Sequence, residues 1–126
     1  DLASSFPNIS IILNHTGMPI DSSENGINLW KKGLRLLASA DNVAVKISAL
    51  GMMNQNWTTT SIRPFIMDTI EIFGTKRCML ASNFPVDSLF SDYKTLWQSY
   101  DDITKNFTQT ERNQIFCLNA ENIYRI

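Results

Sequence analysis

The chain has 126 residues, a length that fits one domain, and its 44% hydrophobic and 18% charged content belongs to a folded globular chain and excludes disorder. Its net charge is −1, from 11 basic and 12 acidic residues spread without blocks. That speaks against nucleic acid or an acidic membrane surface, which select clustered Lys and Arg, and no apolar run reaches the ~18 residues of a membrane span.

The chain opens Asp1-Leu2-Ala3 with no basic segment leading into an apolar one, so no signal peptide is expected and the sequence reads as part of a longer chain. The first structured element is a β-strand. Ile9, Ile11, Ile12 and Leu13 are apolar and mostly β-branched, begun by Pro7-Asn8 and ended by Asn14-His15-Thr16-Gly17. A helix follows, with Ile27, Trp30, Leu34, Leu37 and Ala38 on one face. Val43, Val45 and Ile47 make the second strand, which stops at Ser48-Ala49-Leu50-Gly51. Ile62, Phe65, Ile66, Ile70 and Phe73 make the second helix, with Ser61 as its expected N-cap and Pro64 in its first turn.

Cys78 to Ala81 form the third strand, ending at Ser82-Asn83-Phe84-Pro85. Asp87 is expected to cap a helix starting near Ser88 and carrying Phe90, Tyr93, Leu96, Trp97 and Tyr100. Thr108 and Glu111 read as a capping box opening a further helix through Ile115 and Phe116, and a last turn begins at Asn119. Cys78 and Cys117 have no metal-type spacing and are expected to be buried, reduced thiols, which points to a cytoplasmic setting.

Short apolar strands alternating with helices mean a parallel sheet, either open and doubly wound or closed as a barrel. Asn14, Ser48 and Ser82 stand just after the three strands, 34 residues from one to the next. No Gly-rich phosphate loop follows any strand, so dinucleotide binding is weakly supported. In parallel α/β folds the ligand side lies at the carboxyl ends of the strands. The candidate site residues are therefore His15, the one histidine, then Lys46 with Ser48, and Ser82 with Asn83. Lys46 interrupts an apolar strand, so its ammonium must reach solvent or a partner, either a structural ion pair or a substrate anion.

Four stretches in order carry a resemblance: Leu13-Asn14-His15-Thr16-Gly17-Met18-Pro19, Asn42 to Ser48, Phe73-Gly74 with Arg77 to Val86, and Asn119-Ala120 with Tyr124-Arg125. Together the sequence resembles the amidohydrolase-2 family of TIM-barrel hydrolases, which includes sugar-lactone and pyrone-dicarboxylate lactonases. The resemblance implies an α/β fold in which residues 1–126 are the C-terminal three βα units of a (β/α)8 barrel. It implies a hydrolase acting on a cyclic ester, with His15 and Asn83 catalytic and Lys46, Ser48 and Ser82 on the substrate. A metal-dependent decarboxylase or amidohydrolase, and a non-catalytic ligand-binding barrel, are the alternatives. Family members typically carry Asp where this chain has Asn83, and an amide is a poor base and a poor ligand for a divalent metal such as zinc. If a metal is bound, His15 is its ligand in this chain, since the family's His-x-His pair belongs to the first barrel strand. The partners implied are a small-molecule substrate, the N-terminal part of the barrel and, in a homo-oligomer, a second copy.

Overall fold

In the computed structural model, which describes residues 2–126, the three apolar runs become parallel strands. They are β1 (Ile11–Leu13), β2 (Val43–Ile47) and β3 (Cys78–Leu80), in the order β1-β2-β3. Ile11 lies opposite Val43, and Val45 opposite Cys78. Ile9 falls outside β1, in a turn whose N–H donates to the Phe6 carbonyl. Ala81 falls just beyond β3, although its N–H still reaches the Ile47 carbonyl at 2.9 Å.

Helices α1 (Leu2–Ser5), α2 (Glu24–Ala38), α3 (Leu50–Met53), α4 (Thr59–Phe73) and α5 (Tyr93–Ile103) follow the chain, and α6 (Gln109–Asn113) runs through a π-helical turn at Gln114–Leu118 into α7 (Asn119–Tyr124). The two short helices α1 and α3 had no sequence signal, being single turns too short to show a period. The helix starts shift from expectation where capping chemistry has a better partner. Thr58, not Ser61, caps α4, and Ser61 is the third residue of a capping box, its hydroxyl accepting from the Thr58 N–H. Pro64 therefore sits in the second turn of α4, on an exposed position. Asp92 caps α5 by accepting from the Thr95 N–H at 2.8 Å, so Phe90 precedes the helix and Asp87 caps nothing. The Thr108–Glu111 capping box forms as read.

Consecutive strands joined by right-handed crossovers place their helices on one face. Ile11, Leu13, Val43, Val45, Ile47, Cys78 and Leu80 pack with Leu34 of α2, Ile62, Ile66 and Ile70 of α4, and Leu96 and Tyr100 of α5. Each fully buried Ile of that layer stabilises by roughly 1.5–3 kcal/mol. By strand alternation Ile12, Ala44, Lys46 and Met79 point to the opposite face, with Ile12 opposite Ala44 and Lys46 opposite Met79. One-sided helix cover fits a barrel wall and not a doubly wound sheet, and the molecule is a partial barrel.

The amino end of the sheet is held by three side chains reaching across loops. The Asn42 amide donates to the carbonyls of Ala3, Phe6 and Ile9. Arg77 donates to Phe73, Ala38, Ala40 and Val43 carbonyls, placing its cation at the carboxyl end of α2. Asn119 donates to Thr75 and Cys78 carbonyls at 2.6 and 2.7 Å. Cys78 is buried, and desolvation pushes its thiol up to about 12 against the opposing charge of Arg77. Cys117 is exposed, contrary to the helical reading, because the π-helical turn takes an extra residue and rotates it off the buried face. Among the described residues no helix is long and apolar enough to cross a membrane.

Candidate active site

At the carboxyl end of β1 the chain leaves the strand by a left-handed turn. His15, Thr16, Gly17 and Met18 have φ of 56°, 51°, 73° and 49°. For a β-branched residue such as Thr16 this region is disfavoured, by about 1–3 kcal/mol. The turn persists because its surroundings fix it. The Thr16 side chain is fully buried, its hydroxyl donates to the His15 carbonyl, and the Trp30 indole N–H of α2 donates to the Thr16 carbonyl at 2.7 Å. The Met18 N–H closes the turn on the His15 carbonyl.

This geometry sets the His15 ring against β2. Its Nδ1 lies 2.8 Å from the hydroxyl oxygen of Ser48, which is 1% exposed. One ring nitrogen is thereby fixed, and Nε2 is left for whatever occupies the strand ends. Two residues before Ser48, Lys46 is half-buried, and it takes part in no ion pair among the described residues.

The end of β3 carries the third group. The Ser82 hydroxyl accepts the Phe84 N–H at 3.2 Å, and Asn83 turns left-handed at φ 58°. The Asn83 amide nitrogen lies 2.8 Å from a carboxylate oxygen of Asp87 and 3.6 Å from the sulfur of Met52. Asp87, in the turn Val86–Leu89, is 3% exposed, and its N–H donates to the Asn83 carbonyl. Beneath it the Tyr100 hydroxyl of α5 reaches the Ala81 carbonyl at 3.0 Å and that of Ile47 at 3.4 Å, tying β2 to β3. Burial first, and the nearby Asp87 charge second, hold the Tyr100 phenol well above its ordinary range, so it serves as a fixed donor.

The left-handed residues His15, Ala49 and Asn83 stand 34 residues apart, one after each strand. Strand pairing runs at 32 residues from Leu13 to Val45 and at 33 from Val45 to Cys78. The turns therefore climb two residues and then one past the pairing register, as strands tilted in a barrel wall require. The structure joins His15 to Ser48 directly and sets Ser82 and Asn83 in one turn. Among the described residues no hydrogen bond links the His15–Ser48 pair to the Asn83–Asp87 pair. The sequence reading took Asp87 for a helix cap and not for a site residue, although it lies four residues after Asn83, as a turn partner would.

A catalytic zinc takes three protein ligands as a rule. The described residues hold no group of three His, Cys, Asp or Glu side chains able to bind a metal ion. His15 offers one nitrogen and Asn83 a neutral amide, so the donors of this chain do not by themselves fit a divalent metal.

A family model described as amidohydrolase matches residues 1–126. Protein y4mH of Sinorhizobium fredii, itself uncharacterized, is 49% identical over 126 residues, which is 100% of this chain and 42% of y4mH. An amidohydrolase of Burkholderia multivorans solved with bound HEPES superposes at a TM-score of 0.92 with 21% identity, covering 98% of this chain and 47% of its own. Solved with bound zinc, the Burkholderia amidohydrolase again gives 0.92, at 20% identity, over 99% and 47%. A candidate 2-pyrone-4,6-dicarboxylic acid hydrolase of Pseudomonas putida gives 0.73 at 14% identity, over 98% and 49%. The chain spans less than half the length of each of these relatives.

Proposed function

This chain belongs to the amidohydrolase family, and from that premise we propose that it forms the C-terminal part of a barrel hydrolase that opens a cyclic ester. The observation that carries the reading is the strained turn presenting His15, with Nδ1 tied to Ser48. Backbone strain held in place by a surrounding scaffold is characteristic of sites where a side chain must be aimed. With the Ser48 hydroxyl donating to Nδ1, the proton sits on Nε2, which donates to the lactone carbonyl and stabilises the oxyanion formed by water attack. The ring C–O bond then breaks, and the proton lost by the water ends on the released ring oxygen. Ser48 thus acts through His15. Lys46 offers a cation to a substrate carboxylate, and Ser82 keeps its O–H proton for a substrate oxygen. Asn83 orients the attacking water.

A sugar-acid or dicarboxylate lactone is the substrate class, supported by the name that the Pseudomonas relative carries. The test is hydrolysis, by the intact protein, of 2-pyrone-4,6-dicarboxylate and a panel of sugar-acid 1,4-lactones. His15→Ala should lose about 10²-fold or more in kcat with an unchanged circular dichroism spectrum, the usual scale for a positioned catalytic group. Turnover within a factor of a few of the parent would leave His15 a structural residue. The zinc bound to the Burkholderia relative favours a second reading, a metal-dependent amidohydrolase or decarboxylase. Stoichiometric metal in the purified intact protein, together with activity on amides or carboxylic acids and none on lactones, would select it.

A further inference from the structure

We propose that Asp87 is the positioning residue for Asn83, holding its amide so that the oxygen faces the reaction and the nitrogen faces inward. The inference rests on the reading that Asn83 orients the attacking water, and it assigns the group that makes an amide adequate there.

A carboxylate can only accept hydrogen bonds, so the 2.8 Å contact to Asp87 fixes which end of the Asn83 amide is which. The NH2 group points at Asp87, and Oδ1 is turned away as an acceptor. Nothing in the Asn83 side chain alone would choose that orientation, since the two ends are nearly the same size. The backbone reinforces it: the Asp87 N–H on the Asn83 carbonyl and the left-handed φ of 58° at Asn83 lock the two residues into one turn. The Met52 sulfur lies on the same nitrogen at 3.6 Å, a weak acceptor that favours the same end.

Asp87 is also anomalous as a structural residue. It is 3% exposed, caps no helix, and has no cationic side chain in an ion pair among the described residues. Burying a carboxylate without a cation costs several kcal/mol. A hydrogen bond from an amide N–H to a carboxylate polarises the amide and strengthens its oxygen as an acceptor. The negative charge thus acts on the water through one intervening amide. The step is an orientation, with no proton passing through Asn83.

The test is a double-mutant cycle in the intact protein, assayed with 2-pyrone-4,6-dicarboxylate and sugar-acid 1,4-lactones. Asp87→Asn should lower kcat tenfold or more with KM within about twofold. In an Asn83→Ala background the same substitution should cost less than twofold, because the group it positions has gone. An equal loss in both backgrounds, or a change confined to KM, overturns the proposal. A readout independent of turnover is the side-chain NH2 of Asn83 by ¹⁵N NMR, assigned by its absence in Asn83→Asp. Its hydrogen exchange in the unsubstituted protein should be at least tenfold slower than that of free asparagine, and exchange at the free rate overturns the proposal even if Asp87→Asn does not fold. If no lactone is hydrolysed, the functional reading fails while the NMR result still decides the Asn83–Asp87 pairing.

Discussion

Cysteine 117 shows how a single side chain departs from its sequence pattern and what that does to its chemistry. It is exposed, and its thiol lies 3.2 Å from the Glu121 carboxylate. That hydrogen bond, and the negative charge behind it, hold the thiol above its ordinary value. Less thiolate is present at a given pH, so reaction is slowed. With a disulfide reagent at pH 8, Cys117 should react in the native intact protein and Cys78 only after denaturation, since Cys78 is buried. Glu121→Gln should speed the native reaction, because it removes the charge that disfavours thiolate. A slower rate in that variant would refute the assignment. Other residues were more legible. His15, Ser48 and Asn83 stand where apolar runs stop, which the sequence displays. That Ser48 holds His15 was hidden, because their contact spans 33 residues and depends on strand register. Asp87 was misread because an acid after a Pro-containing turn resembles a helix cap, whereas the helix waits for Asp92.

Among the elements, the three strands and the long helices were readable from their apolar periods, and the short α3 was not. Its place depends on Gly51. A Cβ there would come within 2.7 Å of Phe90 Cδ2 and 2.8 Å of Phe90 Cβ, so the loop after β2 closes on the loop after β3 only because glycine allows it. In an ordinary helix Gly→Ala would stabilise by about 1 kcal/mol. Here overpacking outweighs propensity, and Gly51→Ala should destabilise the intact protein by about 1–3 kcal/mol in urea unfolding. Adding Phe90→Ala should recover part of that loss. Greater stability in Gly51→Ala would show that Phe90 moves aside freely. The fourth stretch of the resemblance also gains its meaning at this level. Asn119, which is part of it, anchors the start of β3, at the opposite end of the sheet from His15 and Asn83.

For the molecule as a whole, three parallel strands with helices on one face leave β1 and β3 each with an outer edge. They also leave a second face that includes Lys46, which has no ion-pair partner among the described residues. Large apolar side chains such as Leu29, Leu36, Leu89 and Ile20 are exposed as well. Open edges template pairing between chains. The 126-residue chain expressed alone should therefore associate or aggregate, and light scattering should show species larger than a monomer. A monodisperse monomer with one cooperative calorimetric transition would refute this. Strand-helix alternation alone left an open sheet and a closed barrel both open, and the family resemblance pointed to the barrel. The placement of all the long helices over one face decides between them, and that requires the handedness of the crossovers.

The two ends of this sheet carry different burdens. Asn42, Arg77 and Asn119 lock the amino end through bonds to backbone carbonyls, which are indifferent to the side chains of the loops they tie. The turns at His15, Ala49 and Asn83 repeat one backbone bend at the other end, whatever residue occupies it. Side chains at the mouth can consequently diverge while the wall beneath stays put. A scaffold so divided is evolvable, able to exchange one substrate for another through a few substitutions without first having to survive a loss of its architecture.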